Sequence, residues 1–259
     1  MKSSTILKYA LVRRGHQNFL GGRLFSTLIQ LTPSPMRRWA ALRIVGLSPH
    51  YFYGPADREH NRLTTSRRGL ISDLVAPLCS PESVALDYGC GPGYAAKAVS
   101  AKVRKVWAID LSEGALAAAR VINGSPNIEY LSVARLTEIP NETIDVVYSF
   151  AVLQHVGDEA FAQIVALLFK LLKPGGKVLL HVVIDGAGWR SEREWRDDAS
   201  LRGKLRLRHG LNCFSRSRSA VEALIKSGGF QVDQIVEAAG KTIADADIAS
   251  QHLVYASKA

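Results

Sequence analysis

Cysteine is scarce: Cys79, Cys90 and Cys213 are the only three in 259 residues. They lie far apart, are odd in number and include no CxxC pair. That spacing argues against a disulfide framework and against a zinc site; it sets a reducing, cytoplasmic compartment as the expectation, with no metal. Long apolar runs are missing as well. None approaches the roughly 20 residues of a membrane-spanning helix, so no transmembrane span is expected. Internal repeats and low-complexity tracts are absent too. The first 56 residues lack carboxylates altogether. Asp57 is the first acidic residue, and Arg13, Arg14, Arg23, Arg37, Arg38 and Arg43 all precede it. A secretory leader is not expected, because Arg13 and Arg14 interrupt any apolar stretch there. Three readings of residues 1–56 stay open. One is an acid-poor, arginine- and serine-rich transit peptide, which would make the protein organellar. Another is a segment on an anionic membrane surface, since Phe19, Leu20, Leu24 and Phe25 alternate with bases. The third, and the favoured one, is a basic helical cap on the domain that follows.

What is present is an ordinary globular composition, 47% hydrophobic and 22% charged, in a chain long enough for one large domain with an appendage. The net charge of +10 is uneven: +9 over residues 1–80, −2 over 81–185, +5 over 186–218 and −2 over 219–259. Residues 56–78 have apolar positions at helical spacing, with Pro77 marking the end. Strands and helices then alternate. SVALDYG, KVWAIDL, NIEYLSV, TIDVVYSF and GKVLLHVVI read as five buried strands. GYAAKAVSAK, SEGALAAARVI (with Ser112 as N-cap) and DEAFAQIVALLFKLLK read as the helices between them. After a basic insertion, 185–218, come the helix SAVEALIKSGGF and two strands, FQVDQIVEA and SQHLVYASK. Residues 240–249 between those strands carry no helical pattern, so the pair is expected to be antiparallel. The fold expected is α/β: a Rossmann-like, doubly wound, seven-stranded sheet, mostly parallel, with an antiparallel C-terminal hairpin. The domains expected are a basic cap, 1–56, and the α/β domain, 57–259, which contains the insertion.

The stretch DYGCGPGY, Asp87 to Tyr94, joins the first strand to the first crossover helix. Gly89, Gly91 and Gly93 permit a tight turn and bare N–H groups beside a helix N-terminus. Asp110 ends the second strand, 21 residues after Gly89, where a carboxylate can accept both ribose hydroxyls of a nucleoside. A dinucleotide fingerprint runs GxGxxG; here the spacing is GxGxG followed by Tyr94. Asp87 beside the loop suits a ligand bearing an amino group better than it suits a pyrophosphate.

Asp87-x-Gly89-x-Gly91-x-Gly93 resembles the first motif of class I S-adenosylmethionine-dependent methyltransferases. Val106 to Leu111 is similar to that family's ribose-binding strand, Ile144 to Val156 to its fourth-strand motif, and Leu171 to Leu180 to its turn into the fifth strand. The hairpin is similar to the family's extra antiparallel strand, inserted between the fifth and sixth. The resemblance covers roughly residues 55–258. It implies S-adenosylmethionine as cofactor, held by Asp87, Tyr88, Gly89, Cys90, Gly91, Gly93, Asp110, Leu111, Ala134, Arg135, Phe150 and Ala151. One departure is that the acidic residue often found after the third strand is replaced by SVARLTEIP, which shifts the expected adenine contacts to backbone, apolar packing and Arg135.

The resemblance further implies in-line methyl transfer to an oxygen or nitrogen of an acceptor. His155, in LQHV at the C-terminal edge of the sheet, is the candidate base, against the reading that it merely packs near the cofactor. His181, inside a strand, reads as a core histidine. Tyr51, Tyr53, His155 and His209 are the candidate acceptor-pocket residues. The acceptor class favoured is a small molecule, anionic or lipid-linked, with peripheral membrane contact open. An RNA or protein acceptor gripped by the basic blocks is the alternative, disfavoured because no NPPY-like tetrapeptide follows the fourth strand. A non-catalytic regulator of the same fold is the third reading. The arginines of Trp189 to Gly210 either face an anionic acceptor or pair within their own helix, as Glu192 with Arg196 would.

Overall fold

A computed structural model describes residues 23–47, 54–186, 188–201, 203, 213–238 and 250–259. Seven strands form one sheet in the order β3-β2-β1-β4-β5-β7-β6. They are β1 (Val84–Tyr88), β2 (Lys105–Asp110), β3 (Ile128–Ser132), β4 (Ile144–Ser149), β5 (Leu172–Val183), β6 (Gln231–Glu237) and β7 (Gln251–Ser257). The pairs β2–β3, β1–β4 and β4–β5 are parallel; β5–β7 and β6–β7 are antiparallel. This is the doubly wound sheet with an antiparallel C-terminal hairpin that the alternating pattern predicts. Every residue of β1 is buried, as a strand covered on both faces requires. The loop expected at 240–249 lies outside the described residues.

The chain forms two compact units, Met1–Pro81 with Cys90–Leu136, and Glu82–Gly89 with Thr137–Ala259. In the first, α1 (Arg23–Leu31) and α2 (Ser34–Val45) precede α3 (Ala56–Leu74), α4 (Tyr94–Ser100) and α5 (Glu113–Ile122). Phe25, Ile29, Leu42 and Val45 pack with Ala117, Ala118 and Ile122 of α5. The alanines leave room for close helix approach, and burial of four large apolar groups contributes about 1.5–3 kcal/mol apiece. Ser112 caps α5, its hydroxyl accepting the Ala115 N–H at 3.1 Å. The α3 helix stops at Leu74, short of the expected end, and Ala76–Leu78 form a 3₁₀ turn. Pro77 has no N–H to offer and biases Ala76 away from helical angles, so the ladder ends before it.

The second unit holds β1, β4, β5, β7 and β6 with α6 (Asp158–Leu171), α7 (Glu192–Asp197) and α8 (Arg218–Ser227). Here β5 starts at Leu172, earlier than the expected Gly176. Lys258, buried at the C-terminal end, explains this. Its ammonium bonds the carbonyl oxygens of Phe169 and Leu172 and the Glu142 carboxylate. The last helical carbonyls are thus satisfied without another turn, and Gly175 N–H pairs with Lys258 O at 2.8 Å.

Candidate cofactor and active site

The turn after β1 is built by hydrogen bonds that each have one geometric job. Cys90 N–H donates to Ile109 O at 2.9 Å, which ties the turn to the end of β2. Gly91 N–H donates to Asp110 Oδ2 at 2.8 Å, and Ser112 N–H to Asp110 Oδ1 at 2.8 Å. Asp110 therefore closes the glycine loop with one oxygen and starts α5 with the other. Pro92 O accepts from Asn123 Nδ2 at 2.7 Å, and Tyr130 Oη donates to Asn123 O at 3.0 Å. Gly93 sits at φ +79°, and a Cβ there would lie 2.4 Å from Tyr130 Oη. Glycine is required at 93 by this packing and by its left-handed backbone. Burial pushes the Asp110 carboxyl up from its ordinary value, partly offset by the N–H groups of Ser112, Gly91 and Leu111.

Around this turn, Leu111 is exposed. A 3₁₀ turn, Val133–Glu138, follows β3 and leaves Ala134 and Arg135 exposed. Tyr94, the first residue of α4, is buried, and its hydroxyl lies 2.9 Å from His60 Nδ1. His60 Nε2 in turn lies 3.0 Å from an Arg38 guanidinium nitrogen. Burial raises the Tyr94 phenol, and burial, then Arg38, lowers His60.

In the second unit, Asp87 is buried in β1, in register with Tyr148 of β4. Gly89 has φ +80°, and a Cβ there would lie 2.1 Å from Val152 Cγ2. Tyr88 O accepts from Ser149 Oγ at 2.8 Å. Phe150 is buried with its ring centroid 5.9 Å from that of Tyr148. Ala151, the next residue, has φ +60°, a conformation costing a residue with a Cβ about 1–2 kcal/mol. Its N–H donates to His181 Nδ1 at 3.2 Å, which helps hold the strained corner. The core histidine expected at 181 thus fixes the backbone that leads to His155. His155 ends a 3₁₀ turn, Leu153–His155, is half-buried, and places Nδ1 3.5 Å from Cys213 Sγ.

Arg216 anchors that turn. It is buried, bonds Asp158 Oδ1 at 2.7 Å and Leu153 O at 3.2 Å, and also donates to Val156 O. Phe214 N–H donates to Gln154 O at 2.8 Å. Sequence reasoning did not single out Arg216, Cys213, Asn123 or Tyr130. The available signal was weak: Arg216 stands in a basic block whose other described arginines, Arg190, Arg193, Arg196 and Arg218, are exposed. Arg196 pairs with Glu192 at 2.6 Å, Arg190 with Asp198 at 3.0 Å and Arg193 with Asp197 at 3.7 Å. Arg196–Glu192 and Arg193–Asp197 are the intra-helix pairs expected within α7, whereas Arg190–Asp198 joins residues on either side of it. The expected acceptor-pocket residues Tyr51, Tyr53 and His209 lie outside the described residues.

The structure thus brings Cys90, Gly91 and Gly93 together with Asp110 in one unit. In the other it brings Gly89, Phe150 and Ala151 to the ends of β1 and β4. Carboxylate oxygens at Asp110 suit ribose hydroxyls, since each oxygen can accept more than one hydrogen bond. The buried Asp87 carboxylate suits a ligand carrying positive charge. Each carboxylate, taken within its own unit, fits a part of S-adenosylmethionine: Asp110 its ribose, Asp87 its positive charge. Among the described residues no group of three or more His, Cys, Asp or Glu is placed to hold a metal ion.

Known proteins agree. Residues 85–176 match the family model described as a methyltransferase domain. A "probable S-adenosylmethionine-dependent methyltransferase" of Mycolicibacterium smegmatis is 32% identical over 114 residues, 44% of this chain and 43% of that protein. A ubiquinone biosynthesis O-methyltransferase of Pseudomonas fluorescens is 32% identical over 102 residues, 38% of this chain and 43% of that protein. The match thus spans less than half the length of these curated relatives. A solved S-adenosylmethionine-dependent methyltransferase from Mesorhizobium loti has the same fold, with TM-score 0.53 at 21% identity, covering 72% of this chain and 96% of that one. Residues 85–176 thus match a methyltransferase domain, and the sheet with its antiparallel β5–β7 and β6–β7 pairs has the fold of solved S-adenosylmethionine-dependent methyltransferases, to which this chain is similar.

Proposed function

We propose that the chain transfers a methyl group from S-adenosylmethionine to an oxygen of a small-molecule acceptor. The observation that carries this reading is the Gly91 N–H to Asp110 Oδ2 bond of 2.8 Å, which pre-forms the turn and aims its carboxylate. The hint of an oxygen acceptor comes from the O-methyltransferase named among the relatives. Against nucleic acid stands the pairing of Arg190, Arg193 and Arg196 with carboxylates, which leaves them little to offer phosphates.

When bound, the cofactor supplies an activated methyl carbon, whose bond to sulfur breaks as the bond to the acceptor oxygen forms. The chain does the rest. Asp110 accepts the ribose hydroxyls, Asp87 balances the ligand's positive charge, and Gly89, Gly91 and Gly93 keep side chains out of the turn. Phe150 and Ala151 form the floor after β4. His155 takes the proton lost by the acceptor hydroxyl. Positioning of this kind can supply about 7–11 kcal/mol of barrier lowering. Calorimetry with S-adenosylhomocysteine tests the cofactor site; no heat of binding would defeat the proposal. Transfer of a labelled methyl from S-adenosylmethionine into a metabolite extract, followed by mild-acid and base stability of the product, tests the oxygen acceptor.

A further inference from the structure

We propose that the outer face of α1 and α2 is a docking surface for an anionic lipid bilayer. Seven large apolar side chains are exposed among the described residues, and five of them fall between positions 24 and 39. Leu24 (65% exposed), Leu28 (46%) and Leu31 (77%) follow helical spacing along α1, while Met36 (53%) and Trp39 (56%) continue the surface on α2. The opposite stripe of α1, Phe25 and Ile29, is buried against α5. The helix is therefore apolar on both sides, and among the described residues only one side has a packing partner. A contiguous exposed apolar patch of this kind marks an interaction site.

The charge around the patch selects the partner. Arg37 spends its hydrogen bonds on Thr32 O at 3.2 Å and Gln30 O at 3.5 Å; Arg38 spends one on Ile122 O at 3.2 Å. The Arg43 guanidinium sits 5.5 Å from the centre of the Trp39 ring. Carbonyl oxygens and an aromatic face leave the positive charge of these groups in place. A cleft of about 270 Å³ between α2 and the start of α3 is lined by Arg38, Trp39, Arg43 and Asp57. Asp57 is the first carboxylate of the chain, and the sequence ahead of α1 adds Lys2, Lys8, Arg13 and Arg14 without one.

Exposed leucines, a tryptophan and arginines on short helices match the layered chemistry of a bilayer surface. The leucines enter the acyl boundary, the indole sits at headgroup depth, and the guanidinium groups meet lipid phosphates. A second copy of the chain is a poor occupant, because a two-fold interface would set each arginine cluster against its own image. RNA is a poor one too, since five exposed apolar side chains would face a polar backbone. No described helix is long and apolar enough to cross a membrane, so the contact is with the surface alone.

Flotation of the full chain with phosphatidylcholine vesicles, with and without phosphatidylglycerol, tests the inference. The chain is expected to float with the anionic vesicles, to remain behind with phosphatidylcholine alone, and to be released by salt as the Debye length shrinks. Leu28→Ser with Leu31→Ser, and separately Arg37→Gln with Arg43→Gln, are each expected to weaken partitioning about tenfold. Trp39 emission should shift to the blue on binding. Leu28, Leu31 and Arg43 are exposed and Arg37 is half-buried, and circular dichroism checks that the variants keep the fold. Failure to float with anionic vesicles overturns the inference. So does binding that survives both double substitutions, stronger retention on RNA than on vesicles, or a Trp39 emission already blue and dependent on dilution, which would assign the face to a second copy. None of these readouts uses cofactor or acceptor, so their failure leaves the proposed methyl transfer standing, and the reverse holds.

Discussion

Asp110→Asn separates cofactor binding from folding, and the structure says why affinity should fall while stability does not. The carboxylate accepts Gly91 N–H and Ser112 N–H, both at 2.8 Å. An amide keeps one carbonyl oxygen and turns an NH₂ toward whichever N–H loses its acceptor. One charge-assisted hydrogen bond goes, and one ribose hydroxyl loses its anionic partner. A bond of that kind is worth about 1.5–3 kcal/mol, so S-adenosylhomocysteine should bind about 10- to 150-fold more weakly by calorimetry. Stability should not follow. Burial raises the Asp110 carboxyl despite its three backbone donors, so the ionised form costs the fold more than those donors return. Between the ordinary and the raised value the folded chain holds more protons than the unfolded chain. The carboxyl's contribution to stability is therefore gained as pH falls through the folded value and lost as pH rises through it. A neutral amide avoids that cost, and the melting temperature at neutral pH is expected to stay level or rise. Cofactor affinity of the parent chain should weaken on acidification above the ordinary aspartate range, and the variant should show no such step. Unchanged affinity, or a melting temperature that collapses together with affinity, would refute the reasoning.

Gly93→Ala is expected to cost more than about 2 kcal/mol in urea unfolding, since a left-handed alanine is strained and its Cβ would lie 2.4 Å from Tyr130 Oη; an unmoved midpoint would show that the Tyr130 contact gives way. Arg216→Met should leave the Val156 carbonyl without its guanidinium donor and the Leu153 carbonyl with only the 3.4 Å bond from Val156 N–H, destabilise by about 2–5 kcal/mol, and depress turnover beyond the loss of folded protein. Arg216→Lys should recover little, because one ammonium cannot span the three acceptors in the fork geometry of a guanidinium; full recovery would reduce Arg216 to a simple charge. His155→Ala should lower kcat by about 100-fold or more with S-adenosylhomocysteine affinity unchanged, whereas equal losses in both would make His155 a cofactor contact.

The fold was legible because its signals are local and periodic. Buried strands such as Val84–Tyr88 read as apolar runs, Ser112 reads as a cap, and the lack of a helical sequence pattern over residues 240–249 points to the antiparallel pair. The glycine turn was legible for a related reason, since strand, turn, helix and Asp110 are close in sequence. Its physical cause was less so. A glycine at 89 or 93 reads in the sequence as room for a ligand, but Val152 and Tyr130 already occupy the space a Cβ would take. Position 130 gives no hint of this, because a tyrosine in a strand normally means packing. The same limit hid the support of His155. Arg216 is 61 residues away in sequence, in a block where Arg190, Arg193 and Arg196 pair with nearby carboxylates. Composition cannot distinguish the buried arginine from the solvated ones, because what sets it apart is the pair of carbonyls at Leu153 and Val156 that only folding delivers. The strain at Ala151 points the same way. An alanine at φ +60° persists only where its surroundings over-determine it, and the His181 bond together with the Arg216 grip on the following turn provides that over-determination. The corner leading to the candidate base is therefore held by two side chains that share no motif with it, and rigidity there is a property of the assembled sheet rather than of the LQHV sequence.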